Sequence, residues 1–302
     1  MNESMLPGMG WIPDVPSVAD YDEAHPEVAP LLKKTKLAAQ PHTNGGQRAG
    51  RSSGAGAAAA PALAPAVDLR PYFSPIEDQG SLGSCTANAA VALVEYYEKR
   101  ASGKFLDASR LFVYKTTRNL VGVKGDTGAE IRNAMGALVL FGAPPEKYWP
   151  YQVSKFDVEP TPFCYAFGDN FKSIKYHRLD TPGVSGLALL DKIKAYLASN
   201  LPSMFGFPVY EELMSPPANA RVAYPAPKSK FYGGHAIAAA GYDDNIQINA
   251  NEKGALLIRN SWGTAWGDHG YGWLPYDYVT RALAEDFWCM TKGEWVDTGI
   301  FA

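Results

Sequence analysis

From Ser84 to Arg100 apolar residues crowd nearly every position. Ala87, Ala89, Ala90, Val91, Ala92, Leu93 and Val94 follow a serine suited to cap a helix, which predicts a largely buried helix. A second helix is predicted where Ile131, Ala134, Met135 and Leu138 recur at helical spacing. Thr127-Gly128-Ala129-Glu130 fits a capping box before it, and Gly142 with Pro144-Pro145 ends it. A third covers about residues 186–199, with Leu187, Leu190, Ile193 and Leu197 on one face. After Leu201 short apolar runs alternate with Gly, Asn, Asp and Pro clusters. Residues 203–209, 235–242, 255–261, 270–274 and 286–290 read as strands. Helices first and strands second argue for an α+β protein with two lobes.

The N-terminal region is different. Residues 45–65 are almost entirely Gly, Ala, Ser and Pro, a composition that buries too little apolar area to offset its ordering entropy, so 45–66 is expected to be a flexible linker. Residues 1–44 form a tail in which Gly10-Trp11-Ile12-Pro13-Asp14-Val15-Pro16 favours extended backbone. Trp11, Ile12, Val15, Val18 and Tyr21 are expected to dock on the body. A linker of this length spans about 25 Å, against a body with a radius of gyration of roughly 17 Å, so the tail can reach most of the surface.

Charge and cysteine count narrow the function classes. The 302 residues are 46% apolar, with 28 basic against 31 acidic side chains, and a net charge of −3 gives no chain-wide basic field. No obligatory nucleic acid or anionic-lipid partner is expected. No apolar run is long enough to span a bilayer, and residues 1–15 lack the basic and apolar regions of a signal peptide, so a cytoplasmic location, or export without a classical signal, is expected. Three cysteines make no disulfide framework. With no CxxC pair and no HxxxH, neither a metal nor a cofactor is expected. Cys164 and Cys289 sit among large apolar residues and read as core. His25, His42, His177 and His269 read as idle. Nothing calls for a second chain, and a monomer is expected.

Candidate chemistry concentrates in three places. Asp78-Gln79-Gly80-Ser81-Leu82-Gly83-Ser84-Cys85 puts a cysteine in the first turn of the buried helix, where free N–H groups favour a thiolate. Lowering a thiol pKa from about 8.5 to about 4 takes roughly 6 kcal/mol; a helix end supplies at most about 2, and an imidazolium at about 4 Å roughly 4. A histidine partner is therefore required. Gly233-Gly234-His235 opens a wholly apolar strand and aims an imidazole at its mouth. Asn260 ends another apolar strand, where a buried amide can orient an imidazole without adding charge, and Trp262 can shield that bond from water.

These pieces resemble the papain/cathepsin family of cysteine peptidases from about Val67 to about Met290. Gln79 lies six residues before Cys85, as the family's oxyanion-hole glutamine precedes its nucleophile. The segment around His235 resembles the family's histidine segment, and Ile258–Gly272 resembles its asparagine segment almost residue for residue. The Gly-Trp-Ile-Pro-Asp tail with its Gly/Ala linker resembles bacterial members. The resemblance implies a papain-like two-lobed fold, a mainly helical lobe at 67–168 and an antiparallel β-barrel-like lobe at 169–302, with the cleft between. It implies a polypeptide substrate, Cys85 as nucleophile, His235 as its base, Asn260 as orienter and Gln79 in the oxyanion hole. Gly128 resembles the substrate-binding strip loosely, and Trp262 is placed beside the substrate. The tail is expected to lie in or beside the cleft as an intramolecular inhibitor, as the family's pro-segments do. The departures are Leu82-Gly83-Ser84-Cys85-Thr86 in place of CGSCW, and long spacings of 150 residues to His235 and 175 to Asn260, which residues 210–231 and 245–254 can absorb. The alternatives are a catalytically silent binding protein of the same fold, or a Cys-His acyltransferase or amidase.

Overall fold

A computed structural model describes residues 6–39, 63–168, 174–217 and 219–301. Helices α1 (Cys85–Ser102), α2 (Arg110–Leu120) and α3 (Ile131–Phe141) pack together on one side. The other side is an antiparallel sheet of seven strands: β1 (Ala66–Asp68), β2 (Lys175–Arg178), β3 (Ser203–Tyr210), β4 (Phe231–Asn249), β5 (Glu252–Arg259), β6 (Tyr271–Pro275) and β7 (Glu285–Thr291). Their order is β2-β7-β3-β4-β5-β6, with β1 also on β4. Helix α4 (Gly186–Ala198) flanks β3 and β4. The fold is a mixed α+β arrangement, with helices on one side of an antiparallel sheet.

Helix α1 is buried from Cys85 to Tyr97 because alanines and small polar residues let it lie close against β4. It ends at Gly103, whose φ of +71° supplies the left-handed cap. Ser84 stands at the cap position, but its hydroxyl bonds to the Tyr151 hydroxyl at 2.6 Å instead of capping the helix. The capping box expected at 127–130 does not form either. Glu130 is itself the N-cap residue, and its carboxylate accepts from the Asn133 side chain.

The expected linker divides. Residues 45–62 lie outside the described ones, whereas Ala64 accepts a hydrogen bond from the Tyr242 hydroxyl and Ala66 opens β1 on β4. Tail docking is also uneven: Trp11 is buried, but Val15 and Val18 face solvent because the turn at Ser17–Asp20 presents its carboxylate to Arg132 and lifts the valines outward. Further along, Val28, Leu32 and Leu37 are buried, and Lys36 donates its N–H to the Phe301 carbonyl.

Candidate active site

The loop before α1 is fixed from several directions. Gln79 donates its backbone N–H to the Ser261 carbonyl, accepts from the Tyr151 hydroxyl on its own carbonyl, and accepts from the Ser261 hydroxyl on its side-chain oxygen at 2.6 Å. Its amide nitrogen is thereby aimed across the loop toward the Leu82 carbonyl at 2.8 Å and the Gly8 carbonyl at 2.9 Å. Cys85 follows as the first residue of α1, where backbone N–H groups lack intrahelical acceptors.

Opposite, β4 carries His235 fully buried at the point where two glycines give way to alanines. His235 Nε2 lies 2.8 Å from Asn260 Oδ1. That oxygen also accepts the Ser261 N–H at 2.8 Å, which fixes the amide orientation. An oxygen can only accept here, so the imidazole proton sits on Nε2 and the lone pair on Nδ1. His235 Nδ1 is buried and has no hydrogen-bond partner among the described residues. The Trp262 ring stacks on the imidazole at 4.6 Å and is braced edge-on by Trp266.

Helix α1 packs on β4, and the Cys85 sulfur lies beside the backbone N–H of Ala236, the residue after His235. Burial pushes the thiol up to about 11, although the N–H groups of Ala236 and Gly10 work the other way. Burial likewise takes His235 down to about 4, opposed by its bond to Asn260. With the tail in place both groups are neutral near pH 7.

The tail runs as an extended strand through this cleft. Gly8 donates to the Gly80 carbonyl, Trp11 to the Gly234 carbonyl and Ile12 to the Ala129 carbonyl, while Ala129 donates to the Gly10 carbonyl at 2.7 Å. The fit is backbone on backbone. A Cβ on Gly8 would stand 2.0 Å from the Leu82 carbonyl oxygen, and one on Gly10 would stand 1.8 Å from that of Gly83. Arg132 then holds Asp14 at 2.5 Å, Asp20 at 2.7 Å and the Val15 carbonyl at 2.9 Å.

The structure thus gathers Gln79, Cys85, His235, Asn260 and Trp262 in one place. Trp262 covers the imidazole there and makes no tail contact among its ring partners. Gly128 borders the cleft, but its N–H goes to the Tyr114 hydroxyl, and the backbone that pairs with the tail is Ala129's. Gly128 makes room: a Cβ there would stand 2.3 Å from the Gly10 oxygen. Ala129 carried no signal in the sequence, because backbone pairing places no demand on side-chain type. Asp286 was also missed, although it lies beneath the Trp11 ring, because only the register of β7 against β3 brings it there. His177 is buried on β2, bonded to the Tyr196 hydroxyl at 2.9 Å. Cys164 and Cys289 are buried.

A cysteine-bearing helix end facing a histidine strand across a cleft that holds an extended segment is an arrangement that suits a cysteine peptidase. A sequence profile of papain family cysteine proteases matches residues 63–286, and the chain belongs to that family. It is 38% identical to the uncharacterized peptidase C1-like protein L477 of Acanthamoeba polyphaga mimivirus, over 76% of this chain and 73% of the viral protein. It is 30% identical to chicken (Gallus gallus) cathepsin K over 68% of this chain and 57% of the cathepsin. Among solved structures it superimposes on xylellain, a cysteine protease from Xylella fastidiosa, with a TM-score of 0.73 and 32% identity, covering 95% of this chain and 96% of xylellain. The protein is a cysteine peptidase. Among the described residues no helix is long and apolar enough to cross a membrane.

Proposed function

We propose that this chain is an endopeptidase that cleaves peptide bonds through a thioester acyl-enzyme and is held in check by its own N-terminal segment. Cys85 is the nucleophile. Its S–H proton passes to Nδ1 of His235 as the sulfur bonds to the substrate carbonyl carbon. The electron pair of that C=O bond moves onto oxygen, where the Cys85 N–H and the Gln79 amide donate to it. The pair returns, the C–N bond breaks, and the nitrogen leaves as the amine with the proton from His235. Water then adds to the thioester, giving its proton to His235; the C–S bond breaks and the thiol is restored. Asn260 keeps the imidazole in the tautomer whose free lone pair is on Nδ1. The single observation that carries this reading is that His235 Nδ1 is buried and without a partner among the described residues, while Asn260 fixes Nε2 on the other side of the ring at 2.8 Å.

The check on activity follows from what the tail offers the sulfur. Gly10 presents an N–H to Cys85, and its carbonyl is turned to Ala129. The Gly8 carbonyl occupies the Gln79 donor. The sulfur thus meets an amide hydrogen instead of an electrophilic carbon, and the cleft is filled without being a substrate complex. Tail burial also keeps the thiol and imidazole uncharged. The test uses a fluorogenic peptide and the full chain. Cys85→Ala and His235→Ala are expected to abolish turnover, and Gly10→Ala, which collides with the Gly83 carbonyl, is expected to raise it. Full turnover by either of the first two variants ends the catalytic assignment; an unchanged rate in the third ends the inhibitory one.

A further inference from the structure

Between Leu6 and Glu27 the tail carries Asp14, Asp20, Asp22, Glu23 and Glu27, and neither lysine nor arginine. The body meets it with basic side chains drawn from three elements. Arg132 at the start of α3 holds Asp14 at 2.5 Å and Asp20 at 2.7 Å. Lys175 at the head of β2 pairs with Glu27, and Lys192 on α4 holds Glu23 at 3.4 Å. Arg178, the last residue of β2, lies 3.9 Å from Asp20. The contact is not charge alone. Arg132 Nη2 donates to the Val15 carbonyl at 2.9 Å, and Arg178 Nη2 donates to the Asp14 carbonyl at 3.0 Å. The strip thus engages a main chain together with its carboxylates, a combination that only a peptide presents.

Among the described residues, every hydrogen-bond and ion-pair partner of Arg132 belongs to the tail. The same holds for the ion pairs of Lys175 and Lys192. Arg178 keeps Asp180 at 3.1 Å and Asp286 at 2.7 Å when the tail leaves, but its buried Nη1 makes no hydrogen bond among the described residues even with the tail seated. Release therefore strips the counter-ions from a row of cations. Arg132 is then left on the face of Trp288, 5.8 Å from the ring centroid, with its planar fork of donors open to a new carboxylate. The row starts close to the chemistry: Gly10 touches Cys85, and Asp14, four residues on, meets Arg132.

We propose that, once the tail is released, Arg132, Arg178, Lys175 and Lys192 form an exosite that binds an acidic segment of the polypeptide substrate, beginning four residues from the cleaved bond on the Ala129–Gly234 side. The assignment rests on the peptidase reading given above. The test uses the full chain carrying Gly10→Ala, Asp14→Asn and Asp20→Asn, which frees Arg132 from the tail. Two fluorogenic peptides differ only in having aspartate or asparagine at that fourth position. The aspartate peptide is expected to show a kcat/KM about tenfold higher, the gain lying in KM, and the ratio is expected to fall toward one in about 0.5 M salt. Arg132→Gln, added to the same chain, is expected to bring the ratio to one at low salt. Both peptides are read on one preparation, so any loss of folded protein cancels. Equal rates for the two peptides, or a ratio that survives Arg132→Gln, overturns the exosite and leaves the peptidase reading intact. Binding is read separately with Cys85→Ala in place, by fluorescence anisotropy of both peptides and of a single-stranded oligonucleotide of the same net charge as the aspartate peptide. Tighter binding of the oligonucleotide overturns a strip that reads peptide. Preferential binding of the aspartate peptide, with no cleavage by the chain that keeps Cys85, leaves the exosite standing and refutes the endopeptidase reading.

Discussion

At the scale of single residues, burial and hydrogen bonding set the chemistry. With the tail seated, Cys85 sits at about 11 and His235 at about 4, so the neutral pair persists between those limits. At pH 5.5 an iodoacetamide probe should label the full chain slowly, because thiolate forms only below the proton activity that the raised pKa allows. In Gly10→Ala, water and the imidazole reach the sulfur, an ion pair can form, and labelling at pH 5.5 should rise at least about tenfold. A rate that simply climbs with pH toward 9 in both proteins would argue against the ion pair. Gln79→Ala, made in the Gly10→Ala chain, should lower kcat about 10²-fold with a smaller change in KM, since its donor acts on charge that develops during reaction. The candidate site was legible in the sequence where the type of a side chain carries the signal. Cys85 lies at a glycine-flanked helix start, and His235 and Asn260 mark the ends of apolar runs. Ala129 and Asp286 were not legible, one contributing only backbone and the other depending on strand register.

At the scale of elements, sequence patterning worked where one kind of residue dominated. The alanine run of α1 and the spaced leucines of α4 set those helices to within two residues at either end. Helix α2 was missed because its polar residues Arg110, Lys115, Thr116, Thr117 and Arg118 read as surface or loop, whereas all of Arg110–Arg118 is buried and Arg118 is satisfied by Asp157. Its start was marked by Ser109, whose hydroxyl accepts the Phe112 N–H at 3.2 Å. Ser109→Ala should therefore cost about 1 kcal/mol in urea unfolding with little change in the m-value. The Ser109 hydroxyl also donates to the Trp149 carbonyl, which puts the loss toward the upper end of cap effects. Strand β4 outran its expected ends for the opposite reason. Residues 245–254 read as an inserted loop, but residues 243–249 pair with residues 252–255 of β5 in a hairpin whose tip lies in solvent, where strands need no apolar face.

At the scale of the whole molecule, the tail is attached at several points. One is the cleft, from Gly8 to Asp14. A second is the Arg132 clamp. A third runs through the Tyr21 carbonyl on Arg178 to the Lys36 bond at Phe301. Residues 40–62 connect it to the body, and a chain of that length can span up to about 80 Å, so reach imposes no limit. A tethered segment of this kind acts at an effective concentration on the order of 1 mM. A free peptide of residues 6–20 that bound the vacated cleft with a Kd of about 10 μM would therefore fill it about 99% of the time when tethered. On the proposed intramolecular inhibition, the full chain should show about 1% of the activity of the unseated form, and that fraction should not change on dilution. Arg132→Ala should raise the fraction severalfold by loosening the clamp, and should lower Tm by a few degrees as buried tail contacts weaken. Specific activity that climbs as the full chain is diluted from micromolar to nanomolar would show instead that the tail of one molecule occupies the cleft of another, and the intramolecular account would fail on that result alone.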